Sequence, residues 1–292
     1  MTTTEGFIDV PGGKVWYKRV GRPQAIPLLV LHGGPGFCHD YLESLEVLGD
    51  QREVYFFDQL GCGKSEIPTD DSLWTVDFYV EEVAVVAQAL GLDRYHLFGN
   101  SWGGMLAMAF VLDRQPALVS LAVSNSPASM PRFLRDNLEL KKELPQEIQE
   151  SIDWHEANGF TKCPEYQAAT ALWYQKHICR MRPWPAGLER SFAGVGLGPY
   201  ETMLGPSEFN VTGNLKDWDI TERLHEIDMP TLFITGTYDE IRPAHVRDMH
   251  KRVTGSEFRE YRNSAHLPFE EEPEAFMTDY RDFLNRAEQA PA

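Results

Sequence analysis

The chain has 292 residues, 42% of them apolar, which is ordinary for a soluble globular protein and long enough for one sizeable α/β core with an insertion. A formal charge of −17 argues against nucleic-acid and anionic-membrane partners. No apolar run approaches bilayer-spanning length, the N-terminus lacks the basic and apolar regions of a signal peptide, and the four cysteines show no CxxC pairing, so the expectation is a cytoplasmic protein with free thiols.

In chain order, residues 7–10 and 14–20 read as an antiparallel hairpin around Pro11-Gly12-Gly13. Residues 27–31 form a continuous apolar run, as expected of a strand buried on both faces, and lead into His32-Gly33-Gly34-Pro35-Gly36. A second buried strand, residues 54–57, precedes Asp58-Gln59-Leu60-Gly61-Cys62-Gly63-Lys64-Ser65. Val76, Tyr79, Val80, Val83, Val86, Ala87 and Leu90 fall at helical spacing and predict a helix over 75–91 that ends at Gly91.

Residues 95–98 are again strand-like, and residues 105–112 favour helix. Between them lies Gly99-Asn100-Ser101-Trp102-Gly103-Gly104, a match to G-x-S-x-G. Glycines two residues either side of Ser101 suit a sharp strand-to-helix turn, where side chains would collide. The serine stands at a helix N-terminus, where backbone N–H groups favour a developing oxyanion. An ordinary N-cap serine is the alternative. Another strand covers 119–123. From about 127 to 223 the β–α alternation stops and the chain turns helical and aromatic-rich. Strands return at 230–235 and 257–261, with helices near 243–253 and over 273–288. The expectation is an α/β fold with a mostly parallel sheet, residues 1–126 and 224–292, and an inserted helical cap, 127–223, over the strands' carboxyl ends.

A serine hydroxyl needs a base to take its proton, and the base needs a carboxylate to orient it. In this architecture the chain order is serine, acid, histidine. Asp239, after a buried strand, and His266, before the final helix, fit that order. Glu240 is the adjacent alternative to Asp239, and Asp228 stands at the wrong end of its strand. His245 and His250 fall on an expected surface helix, and His32 is read as shaping its turn. Gly34 and Trp102 are the expected backbone donors of an oxyanion hole. No H-E-x-x-H or tight His/Asp cluster is visible, so neither a metal nor a cofactor is expected.

His32-Gly33-Gly34-Pro35-Gly36, the Asp58–Ser65 stretch and Gly99-x-Ser101-Trp102-Gly103-Gly104, with the late Asp239 and His266, together resemble the proline iminopeptidase (prolyl aminopeptidase) family of α/β hydrolases. The resemblance implies that glutamates hold the substrate's free amino end. Gly205-Pro206-Ser207-Glu208-Phe209 points to Glu208, and the Asp239-Glu240 pair points to Glu240. Leu60 stands where many members carry arginine, and Asn100 where glycine or serine is common. Both departures point towards a broader-specificity branch, such as the tricorn-interacting aminopeptidases or the amino-acid amidases. The expected activity is a serine aminopeptidase that releases a small uncharged residue, proline or alanine-like, from short peptides or amides. The alternatives are an amidase, an esterase or an aminoacyl-removing tailoring enzyme with the same machinery and, from another class, a ligand receptor on a hydrolase fold.

Overall fold

The computed structural model describes residues 2–290. Eight strands form one sheet: β1 (Thr3–Val10), β2 (Gly13–Val20), β3 (Leu28–Leu31), β4 (Val54–Phe57), β5 (Tyr95–Asn100), β6 (Leu118–Ser124), β7 (Thr231–Gly236) and β8 (Glu257–Tyr261). Their spatial order is β1-β2-β4-β3-β5-β6-β7-β8. The expected hairpin is present, with β1 antiparallel to β2 and β2 antiparallel to β4; every other pairing is parallel.

The helices are α1 (Val76–Ala89), α2 (Trp102–Arg114), α3 (Met130–Lys141), α4 (Gln146–Ala157), α5 (Pro164–His177), α6 (Ala186–Ala193), the single turn α7 (Leu197–Pro199), α8 (Pro243–Arg252), the short α9 (Pro268–Glu271) and α10 (Pro273–Gln289). A 3₁₀ stretch, His39–Asp50, which the apolar pattern did not reveal, packs beside them. Strand side chains alternate between two cores, as period 2 requires. Leu29, Leu31, Leu97, Leu121 and Phe233 meet α1, α2 and α8, whereas Leu28, Val30, Phe98, Ala122, Leu232 and Ile234 meet α10 and the 3₁₀ stretch. Helix α2 is buried on all sides from Trp102 to Leu112, which explains its unbroken apolar sequence.

After β3 the chain adds β4 on one side, and β5 then pairs on β3's other side. The loops leaving the carboxyl ends of β3 and β5 therefore diverge, which opens the crevice where sheets of this kind hold ligands. Helices α3 to α7 intervene between β6 and β7 and carry a small core of their own, centred on Ile152, Tyr166, Trp173 and Phe209. The entry and exit of this insertion are bridged: Ser129 Oγ donates to Asp219 Oδ2 (2.6 Å), Met130 N–H to Trp218 O (2.9 Å) and Ile220 N–H to Ala128 O (2.9 Å).

Candidate active site

Ser101 links β5 to α2 with φ 57° and ψ −127°, a conformation that costs a non-glycine residue energy and lifts its side chain off the sheet. The flanking glycines make the turn possible. A Cβ at Gly99 would strike the Gly103 carbonyl, and one at Gly103 would strike the Leu31 carbonyl. Ser101 N–H donates to Ser124 O (3.0 Å), which pins the turn to β6.

Asp239 follows β7, and His266 sits in the loop after β8. His266 Nδ1–H donates to Asp239 Oδ1 at 2.7 Å, and both residues are buried. The other carboxylate oxygen, Oδ2, accepts from Asn125 Nδ2 (2.7 Å) and Thr235 Oγ1 (3.3 Å), and Ile241 N–H donates to Oδ1 (3.1 Å). These donors fix the carboxylate in place, and it holds the imidazole in one tautomer and orientation. Sequence reasoning missed Asn125; the only signal is a polar residue just past a buried strand, and only folding brings it to Asp239.

The insertion reaches this pair from behind. His266 N–H donates to Ile178 O (3.1 Å), and His177 Nδ1–H donates to Tyr238 O (2.8 Å). His266 Nε2 faces the cavity that Ser101 lines and lies 3.7 Å from Glu240 Oε1.

About 450 Å³ of space, part of it open to solvent, lies in that cavity. Gly34, Ser101 and His266 border it on the sheet side, and Tyr174, Phe192 and Tyr200 border it from the insertion. A second, smaller one of about 290 Å³, lined by Trp102, Met105, Met130, Phe133 and Leu215, adjoins it. Gly34, Ser101, Glu208 and Glu240 line both. The structure thus brings together the residues singled out as a triad, an oxyanion hole and an amine pair. Gly34 has φ +117°, a backbone region that glycine enters freely. Trp102 is the first residue of α2, where the helix supplies no acceptor for its N–H.

The carboxylates differ by environment. Glu240 is fully buried, and among the described residues its Oε2 has no hydrogen-bond partner. Burial, with the negative charges of Glu208 and Asp239, holds its carboxyl well above the usual range. Glu208 accepts from the Tyr200 hydroxyl at 3.2 Å, and burial pushes it up to about 7 against the opposing pull of His266 and Tyr200. Two carboxylates facing one cavity in this state favour a cationic ligand.

Other expectations fare differently. Asp228 is exposed at the amino end of β7, away from the site. Of the two histidines placed on a surface helix, His250 is partly buried against Ser256 (2.7 Å), and His245 is not a surface residue at all. His245, Val246 and Met249 form the inner face of α8, and burial lowers the imidazole to about 3. Two three-residue groups that spacing alone did not show do come together: His39, Asp40 and Glu43, and His155, Cys163 and Glu165. Five of these six side chains have protein partners: His39 binds Asp58 (2.8 Å), Asp40 and Glu43 meet Arg190, His155 Nδ1–H donates to Ser151 O (2.6 Å), and Cys163 caps α5. Leu60 is buried against the scaffold. The four cysteines are free. No helix among the described residues is long and apolar enough to cross a membrane.

The sequence profile of the alpha/beta hydrolase fold matches residues 26–273, so the fold and the site define an α/β hydrolase. More narrowly, the chain is 40% identical over 284 residues to the proline iminopeptidase of Heyndrickxia coagulans, covering 97% of this chain and 99% of that one. It is 37% identical over 291 residues to the proline iminopeptidase of Saccharolobus solfataricus, covering 98% and 94%. Among solved structures, VinJ superposes with a TM-score of 0.94 at 36% identity, covering 97% and 99% of the two chains. The proline iminopeptidase of Mycobacterium smegmatis superposes with 0.88 at 35%, covering 97% and 98%. The chain belongs to the proline iminopeptidase family.

Proposed function

We propose that this protein is a serine aminopeptidase that releases a small uncharged N-terminal residue, proline or alanine-like, from short peptides or amides. The observation that carries the reading is the pair of half-buried Glu208 and buried Glu240, which lines the same cavities as Ser101 and leaves Glu240 Oε2 unpartnered. A protonated α-amine fits there through charge-assisted hydrogen bonds and supplies the missing partner.

In this mechanism Ser101 Oγ attacks the carbonyl and His266 Nε2 takes its proton. Asp239 stabilises the imidazolium through Nδ1–H. The Gly34 and Trp102 N–H groups hold the oxyanion. His266 then protonates the leaving amine, and water hydrolyses the acyl-enzyme. Residues 127–223 act as a cap that closes the substrate into the crevice, over a catalytic domain made of 1–126 and 224–292. A cytoplasmic setting, in keeping with the free cysteines, and small peptide or aminoacyl amide substrates belong to the same reading.

The test is a panel of prolyl, alanyl and leucyl arylamides alongside their N-acetylated counterparts and a simple acetyl ester. Turnover of the free-amine substrates and rejection of the acetylated ones is the expected result. Equal turnover of both removes the amine-binding role, and hydrolysis of the ester alone points to an esterase.

A further inference from the structure

Gln59 lies in the loop after β4, is 1% exposed, and the hydrogen bonds of its side chain and N–H go to His32 and Trp102 and not to Ser101, Asp239 or His266. Its amide joins two separate loops. Oε1 accepts from the Trp102 indole N–H at 2.8 Å, and Nε2 donates to His32 O at 2.9 Å. An indole N–H can only donate and a carbonyl can only accept, so the partners at both ends fix the amide's orientation.

The backbone of Gln59 does a second job. Its N–H donates to His32 Nε2 at 2.9 Å. That makes Nε2 the acceptor and places the imidazole proton on Nδ1, 2.9 Å from Gly33 O. Burial lowers His32 to about 4, so the ring is neutral at pH 7 and keeps this single tautomer. Gly33 C=O and Gly34 N–H belong to one planar trans peptide and point in opposite directions. Holding the carbonyl therefore aims the N–H. Gly33 N–H in turn donates to the Tyr41 hydroxyl (2.7 Å), which donates to Asn100 Oδ1 (2.8 Å), so the preceding peptide is held as well.

The base of this strut is fixed. Leu60 N–H donates to the buried Glu82 (2.8 Å), the Tyr79 hydroxyl donates to Leu60 O (3.0 Å), and Asp58 accepts from the backbone N–H groups of His39 (2.8 Å) and Lys64 (2.9 Å).

We propose that Gln59 is the positioning residue of the oxyanion hole: its side chain on a third loop ties the Trp102 indole to the His32 carbonyl and so sets the spacing of the Gly34 and Trp102 N–H donors, while its backbone N–H, through His32, sets the direction of the Gly34 one. The inference rests on the assignment of those two N–H groups as the donors.

The experiment compares Gln59→Met with the wild type, using an aminoacyl aldehyde and the matching amino alcohol as inhibitors. The aldehyde adds to Ser101 and places an oxyanion in the hole, whereas the alcohol engages the amine pair without forming one. Losing a single oxyanion donor costs about 10²–10³ in kcat. Gln59→Met keeps the backbone bond to His32 and cuts the side-chain link between the two donor loops; the lost spacing should lower kcat about 10- to 100-fold with KM within about threefold, and weaken the aldehyde by a similar factor while leaving the alcohol unchanged. Trp102→Phe, which deletes the indole N–H but keeps the backbone donor, should show the same split should Gln59→Met fail to fold. Unchanged aldehyde affinity in a folded variant overturns the proposal, as does equal weakening of aldehyde and alcohol, which marks general disruption of the pocket. If the wild type itself binds the aldehyde no more tightly than the alcohol, the donor assignment fails and this inference falls with it.

Discussion

On the sheet side of the cavity, each group proposed to react follows a strand and is held by directed hydrogen bonds. Asp239 is gripped by Asn125, Thr235, Ile241 and His266, and Ser101 by the β6 backbone. On the insertion side, Phe192 is held by ring packing against Phe37, Tyr174 and Trp184, with centroids 4.9–5.9 Å apart, and Leu188 joins the same apolar cluster. Directed bonds fix a geometry to fractions of an ångström, which chemistry needs. Apolar packing fixes volume and tolerates exchange of like-sized groups. In the proposed mechanism one wall of this cavity serves reaction and the other choice. Glu208, from the insertion, and Glu240, beside Asp239, are where the two walls meet.

The sharpest way to break this division is to disable the reacting wall alone. Ser101→Ala should lower kcat roughly 10⁴- to 10⁶-fold while melting temperature and amino-alcohol binding stay near wild type. A large loss of alcohol binding would show that the walls are not separable.

Next in size is the junction. Glu240→Gln and Glu208→Gln should each lower kcat/KM for free-amine substrates by about one to three orders of magnitude, and affect an acetyl ester far less. The pH profile sharpens the point. Glu208 is pushed up to about 7, so it becomes an anion, and a partner for the cationic amine, only as pH rises through that value. The amine substrate should therefore gain more in kcat/KM between pH 5 and 8 than the ester does, and Glu208→Gln should remove the difference.

The choosing wall should yield smaller effects. Phe192→Ala opens the cavity beside Tyr174 and should change the leucyl-to-prolyl ratio of kcat/KM about tenfold, with the best substrate still turned over. An equal fall for every substrate would assign Phe192 to the reacting wall.

The smallest effect concerns the scaffold beneath the reacting wall. Burial raises Glu82 to about 8, against an ordinary value of 4.5. The folded protein therefore holds a proton that the unfolded chain has released, and stability falls as pH rises from about 4.5 to 8. Glu82→Gln keeps an acceptor for Leu60 N–H without the charge. It should raise Tm by a few degrees at pH 8 and by less at pH 5, as thermal unfolding at the two pH values would show.

The two walls were also unequally legible in the sequence. Ser101 could be read because its glycines and flanking strand and helix are local, and Asp239 and His266 because loop position and chain order constrain them. Residues 257–261 formed the expected strand, and the expected helix over 75–91 is Val76–Ala89. What stayed hidden is what depends on meetings across the fold. Tyr41 and Asn125 carry no motif, yet one holds Gly33 and the other Asp239. His245 sits in a helix whose charged residues suggest a surface, and only the spacing of Val246 and Met249 gives away its inner face. Glu208 could be singled out only through the family resemblance, because a loop carboxylate without its cavity looks like any solvated one.

The bridge between Ser129 and Asp219 has a consequence for how such a protein changes. Three hydrogen bonds tie residues 128–130 to residues 218–220, so the chain re-enters the sheet domain beside the point where it left. To the strands, everything beyond the bridge is a closed loop, and closing a longer or shorter one changes the cost only logarithmically. The helices above can therefore differ from one relative to another at that seam, provided a graft keeps an acceptor for His266 N–H and a donor for Tyr238 O, the two contacts by which the insertion holds the proposed base and acid.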